Sequence, residues 1–271
     1  MAKDVRPMST MARAGTVALQ LAVPAVVAGL LGGLCMIGLM IVVMGVSGAG
    51  YATPLNLGMA AFVVTITPPM AMLPTLISLM GLHLPPSAMG MLSTVSHGGH
   101  LSTAMMSQLQ GMLMGMHLPN ATVGAMGALM SGNASNGTVV TLMQQMSPSV
   151  QTMVMGQMPV VASQVVVGAI LHFAFAAFIG LVFAGLIGAA AWLDFPGLRT
   201  SAGVIISGVI GGALLYVVMR WGILPPINPM MGFVPQGWFF VAHLLYGLVV
   251  GIVLAVALRR PSVRAAFPAV G

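Results

Sequence analysis

The side chains able to do chemistry in this chain are soft metal ligands. Met112, Met114, Met116 and His117 form a Met-x-Met-x-Met-His run, with Met105 and Met106 upstream of it. His97 and His100 bracket two glycines in His-Gly-Gly-His, a spacing short enough to chelate one ion. Thioethers and imidazoles suit Cu(I), which binds such donors without any charged ligand. On a helix, Met112 and Met116 share a face because residues four apart stack above one another. The expectation is a Cu(I) site drawn from Met105, Met112, Met116, His117, His97 and His100. The competing expectation for the same methionines is packing, since Met is a flexible apolar filler and a Met stripe suits the buried side of an amphipathic helix.

A second set lies within long apolar runs: His172, His243 and Arg220. Ionisable residues inside a membrane are costly and mark function by default. His172 and His243 fall at similar depth, so they are candidates to ligate a metal or to hold a haem between helices, with Gly168, Ala174, Ala176 and Ala177 leaving room nearby. The plainer expectation is that each is a neutral imidazole bonded to a neighbouring helix, through a carbonyl or Tyr246. Arg220, beside Trp221, is expected to snorkel to the headgroups.

Other chemistries fail on inventory. Asp4 and Asp194 are the only acids, and there is no Glu. Paired-carboxylate acid–base work and carboxylate-bound Mg²⁺ or Ca²⁺ therefore lack their groups. A Ser-His-Asp triad has no Asp on the side of the membrane where the histidines fall. No phosphate-binding loop is present. The chain is expected not to be an enzyme. Its net charge of +6 does not point to nucleic acid, because the basic residues sit at the ends of apolar runs and are not interleaved with aromatics.

The elements that must position these residues follow from one feature. From Ala14 to Leu193, 180 consecutive residues carry no Lys, Arg, Asp or Glu. Water-soluble folds need charged surface, so this chain belongs in a bilayer. Four runs are long enough to span: about Val17–Val46, Val160–Trp192, Ser201–Trp221 and Trp238–Leu258. The first is too long for the core of a cleavable signal peptide and reads as a retained helix. Each run carries small residues four apart: Ala25, Gly29 and Gly33; Ala176 and Gly180; Gly208 and Gly212; Gly247 and Gly251. Such spacing lets helix backbones approach closely. Cys35, the single cysteine, lies within the first run and can form no internal disulfide.

Lys3, Arg6 and Arg13 precede the first run, Arg199 follows the second, and Arg259, Arg260 and Arg264 follow the fourth. Four crossings place all of these on one side, which the positive-inside rule makes cytoplasmic. Both termini are then cytoplasmic in an inner (plasma) membrane. The fold class expected is all-α: an integral membrane bundle of about four helices with a Met-rich outer amphipathic segment. The chain divides into 1–46, the cytoplasmic start and first helix; 47–159, an outer Met/His-rich segment; and 160–271, three further spans and a basic cytoplasmic tail.

The outer segment is expected to begin with a re-entrant or interfacial hairpin over Leu57–Met80, broken by Pro68, Pro69 and Pro74. If that stretch spanned together with one between Leu101 and Met130, the count would be six. Residues 81–159 hold 14 Met and four His. They contain an echo: LMGLHLP from Leu79 returns as LMGMHLP from Leu113, with a weaker third copy at Met155–Pro159. Leu101, Met105, Leu109, Met112 and Met116 follow the rhythm of one helix face, and Ser102, Thr103, Ser107, Gln108 and Gln110 fill the other. Asn120 is expected to cap a following helix, and Ser147 with Pro148 to start another.

Two stretches carry a resemblance. Gly45–Leu57 (GVSGAGYATPLNL) follows the first span, and Trp238–Gly247 (WFFVAHLLYG) opens the last; Leu171-His172 is a further element of the same kind. Together they resemble a loose group of uncharacterised bacterial multi-span integral membrane proteins, in which a Gly-rich turn into Pro-Leu-x-Leu follows the first helix and His-Leu-x-x-Gly recurs later. The resemblance implies a multi-pass helical fold. No activity is attached to the group, so it transfers no functional residues.

The leading functional expectation is a copper-binding or copper-handling membrane protein that uses the outer Met/His cluster. The alternatives are a non-catalytic accessory or scaffold subunit of a membrane complex, and a small-molecule or lipid permease. The partners expected are the lipid bilayer and either other membrane subunits or further copies of the chain.

Overall fold

The structure, a computed structural model, describes residues 10–46, 74, 77–78, 80–97, 99, 101–131, 136–157, 162–193, 195–198, 200–227 and 232–261. Its regular elements are all helical: α1 (Thr10–Val46), α2 (Pro86–Ser96), α3 (Thr103–Gly115), α4 (Asn120–Met130), α5 (Asn136–Gln144), α6 (Pro148–Gln157), α7 (Ala162–Trp192), a 3₁₀ turn (Pro196–Leu198), α8 (Ser201–Val217), a π-helical segment (Val218–Ile223), α9 (Leu224–Ile227) and α10 (Gln236–Leu258). No strand occurs among the described residues.

Four of these helical stretches are long and apolar enough to cross a membrane: Leu19–Val46, Val165–Ala190, Ser201–Ile227 and Gln236–Leu258. The protein is a multi-pass α-helical membrane protein. Three spans match the runs expected from hydropathy closely. The third extends six residues past Trp221, through the π segment into α9, which holds Pro225 and Pro226. The wider turn carries the helix up to the prolines without ending it at Trp221. Most of the expected hairpin over Leu57–Met80 lies outside the described residues.

Contacts divide the chain into two compact units. One holds α1 up to Met40, α7 from Ala169, α8 up to the start of the π segment, and α10. Its buried faces are small and its exposed faces large. Ala25, Ala28, Ala176, Ala184 and Ala257 are buried, while Leu19, Val23, Leu34, Ile170, Phe178, Ile210, Leu214 and Val256 are exposed. That inversion of a soluble protein's pattern is what lipid demands, since the bilayer solvates large apolar side chains and close backbone packing holds the helices.

The small residues pair as their spacing suggests. Along α1 the contacts on α7 run in the opposite order: Ala25 meets Gly180, Gly29 meets Ala176 and Ala177, and Gly33 meets Ala176 and His172. The two helices are therefore antiparallel. A Cβ at Gly29 would collide with the Ala176 carbonyl, and one at Gly180 with the Ala25 carbonyl. The α8–α10 pair repeats this design, with Gly208 against Gly247 and Gly251, and Gly212 against Gly247 and the His243 carbonyl. One apolar core joins both pairs, from Leu21 and Ala28 through Ala184 and Ile187 to Val204, Tyr246, Val250 and Leu254.

The second unit gathers α2–α6, the last turns of α1, the first of α7 and the segment from Arg220 to Pro235. Its core is Ile77, Leu92, Leu109, Leu113, Met126, Leu129 and their neighbours. Turn chemistry sets the helix ends. At Gly81 (φ +72°) the amides of Gly81 and Leu82 return to the carbonyls of Ser78 and Ile77 at 2.9 and 3.2 Å, the paired bonds of a left-handed C-terminal cap. In the second copy of the echo it is His117 that takes the left-handed conformation (φ +58°). The repeat in sequence is thus not a repeat in cap geometry. Ser102 starts α3 by accepting from the Met105 amide at 3.3 Å, and Ser147 starts α6 by accepting from Val150 at 3.5 Å. Asn120 makes no side-chain cap; Pro119 occupies the position before α4.

Candidate functional site

The methionines of the expected copper cluster belong to a packed layer. Leu109 and Leu113 on α3 are fully buried, and Met105, Met106, Met112 and Met116 pack partly buried against the same core. The opposite face, with Ser102, Thr103, Ser107 and Gln108, is exposed. α3 is the amphipathic helix that its sequence rhythm predicts, and its Met stripe covers apolar neighbours. Met114, off the stripe, is 63% exposed.

The described histidines of this segment sit at helix ends. His97 is the C-cap of α2 and His117 follows the C-terminus of α3. His97 Nδ1 lies 2.7 Å from the Ser93 carbonyl, and His117 Nδ1 lies 3.1 Å from the Gly115 carbonyl. A carbonyl only accepts, so in each ring Nδ1 is the donor. Both rings are exposed. The 13 residues of α3 stand between the two in sequence, a helix length of about 20 Å at 1.5 Å per residue. His97 and His117 therefore stand at the two ends of α3. His100 lies outside the described residues. Among the described residues no three His, Cys, Asp or Glu come together.

Within the spans two polar side chains bond across helices and a third bonds within its own helix. The Tyr246 hydroxyl of α10 donates to the Ala176 carbonyl of α7 at 2.7 Å, and its ring lies over Gly32 of α1. One side chain thus touches three helices. His172 Nε2 sits 3.4 Å from the Gly33 carbonyl of α1, the helix-to-carbonyl arrangement expected of a neutral imidazole. His243 turns inward, 2% exposed, and its Nδ1 donates to the Phe239 carbonyl one turn earlier at 2.8 Å. Its ring packs edge-on against Phe239 and Tyr216, with centroids 4.4 and 5.8 Å away. Each of the two imidazoles is turned to a different neighbour. That division gives no support to a shared metal ion or to a haem between them.

Arg220 lies in the π segment, and its guanidinium donates to the Gly232 carbonyl at 3.3 Å. It holds the connection between the third and fourth spans, a role the expectation of simple snorkelling did not contain. Trp221 and Trp238 are 64% and 47% exposed. At the other end of α10, Arg259 Nε donates to Ser201 Oγ at 3.2 Å, which clips the end of α10 to the start of α8.

Sequence reasoning named Tyr246 only as a partner for a histidine. Its position one turn after His243, facing the small residues of two other helices, is the signal that could have singled it out. Compared with family models, with curated proteins and with solved structures, the chain matches none.

Proposed function

We propose that the protein is a non-catalytic accessory subunit of a membrane complex, with its four spans as the anchor and the Met-cored helical layer, on the outer side, as the part that meets partners. One observation carries this reading. The polar groups His172, His243 and Tyr246 in the spans are engaged in helix-to-helix or helix-to-carbonyl bonds, at crossings where glycines bring backbones into contact. Such a bundle offers an embedded scaffold and no row of free polar groups for a transported solute. The basic residues flanking the first and last spans support an inner-membrane protein with both termini cytoplasmic.

Copper binding is the second reading. It rests on donor type and on the exposed rings of His97 and His117, whose Nδ1 atoms are engaged and whose Nε2 atoms face outward from those bonds. It ranks behind because Met105, Met112 and Met116 pack on the core and the two rings cap different helices. Purification in a mild detergent after chemical cross-linking separates the two. Defined cross-linked partners that persist when Met112 and Met116 are both changed to Leu support the subunit reading. A partner-free chain with one copper, lost in that double variant, overturns it.

A further inference from the structure

Between α1 and α10, near the C-terminal end of α10, lies a groove of about 240 Å³. Val23, Pro24 and Val27 form one wall, Ile252, Val253 and Val256 the other, and Arg260 lies at its end. The groove is open to the side, since Val23, Val27, Ile252 and Val256 are all 43% exposed or more. Its volume falls below the roughly 300–1,000 Å³ of pockets that enclose whole small molecules. An apolar slot of that size, open along a helix pair, fits a length of hydrocarbon chain.

Arg260 supplies the second half of the argument. It stands two residues beyond the last helical residue of α10, where a long basic side chain reaches the headgroup level. Its neighbour Arg259 is held by Ser201, whereas the Arg260 guanidinium has no hydrogen bond or ion pair among the described residues. No acidic side chain occurs among the described residues to neutralise it. An apolar groove with a guanidinium at its lining matches a lipid whose phosphate and tails are aligned the same way.

We propose that this groove binds one anionic phospholipid of the surrounding membrane, an acyl chain lying along Val23, Val27, Ile252 and Val256 and the phosphate meeting Arg260. The site is independent of the subunit reading, because it needs only the bundle and its terminal arginine. The test is thermal unfolding of the full chain in detergent with added phosphatidylglycerol, phosphatidylcholine of the same chains, or inorganic phosphate. Native mass spectrometry counts the retained lipid in parallel.

Phosphatidylglycerol is expected to raise the unfolding midpoint and to remain bound at one per chain, while phosphatidylcholine and phosphate do neither. Arg260→Gln and the groove-filling Val256→Trp should each abolish that gain, and Arg259→Gln should keep it. Val256 is 57% exposed, so its Trp variant is expected to fold. Equal stabilisation by phosphatidylcholine would overturn the proposal, as would equal losses in Arg259→Gln and Arg260→Gln. Either result would mean general solvation of the bundle or unspecific attraction to its basic end.

Discussion

Tyr246 concentrates more of the bundle's specificity than any other described side chain, because its hydroxyl and ring reach two different helices from a third. A hydrogen bond between membrane helices contributes about 0.6–1.7 kcal/mol. Tyr246→Phe keeps the ring over Gly32 and removes only the bond to Ala176. It should lower stability by about that amount in denaturation of the detergent-solubilised protein, with the helical content of the folded state unchanged. A loss several times larger would mean that the hydroxyl does more than bridge two helices. Thr122 presents the opposite case. It is 0% exposed in α4, and its Oγ1 has no hydrogen-bond partner among the described residues. A buried unsatisfied hydroxyl costs roughly 1–3 kcal/mol, and Val has the same shape without it. Thr122→Val should leave stability unchanged or raise it by about 1 kcal/mol; a fall of that size would mean that the hydroxyl has a partner in solution.

At the scale of elements, the helices are held by backbone contact at small residues. Replacing Gly29 or Gly247 by Leu puts a side chain where the Ala176 or Gly208 carbonyl lies, so the helix pair must part. These variants should fail to give a monodisperse folded protein on size exclusion. Gly38→Ala meets open space and should be tolerated, with a gain of up to about 1 kcal/mol from helix propensity. Equal tolerance of all three changes would contradict the packing described. These contacts were legible in the sequence because period and residue size together define a face: Ala25, Gly29 and Gly33 could only form a stripe. The ends of elements were less legible. The third run was expected to end at Trp221, and the π segment that carries the helix on to Pro225 and Pro226 leaves no pattern in residue type. Arg220 read as a headgroup anchor because its partner, the Gly232 carbonyl, is a backbone atom in a connection that residue types do not place.

At the scale of the molecule, the sequence reads as a membrane protein from its uncharged run alone, and the four spans confirm that class. Function was less legible, since the same Met-rich stripe serves a metal site or a core, and only packing distinguishes them. Met105, Met112 and Met116 lie against buried leucines, so changing all three to Leu should conserve volume and keep the fold, at a cost below about 1.5 kcal/mol for each. Copper content of the purified protein should not change with that triple variant.

The measurement that bears most directly on the central claim is native mass spectrometry of the chain released from its own membranes, without detergent exchange. A complex of fixed stoichiometry, in which the 27.7 kDa chain is accompanied by other polypeptides and carries no copper, is the result expected. A lone chain carrying a copper ion, lost when the Met and His donors are replaced, would contradict the account and return the helical layer to metal chemistry.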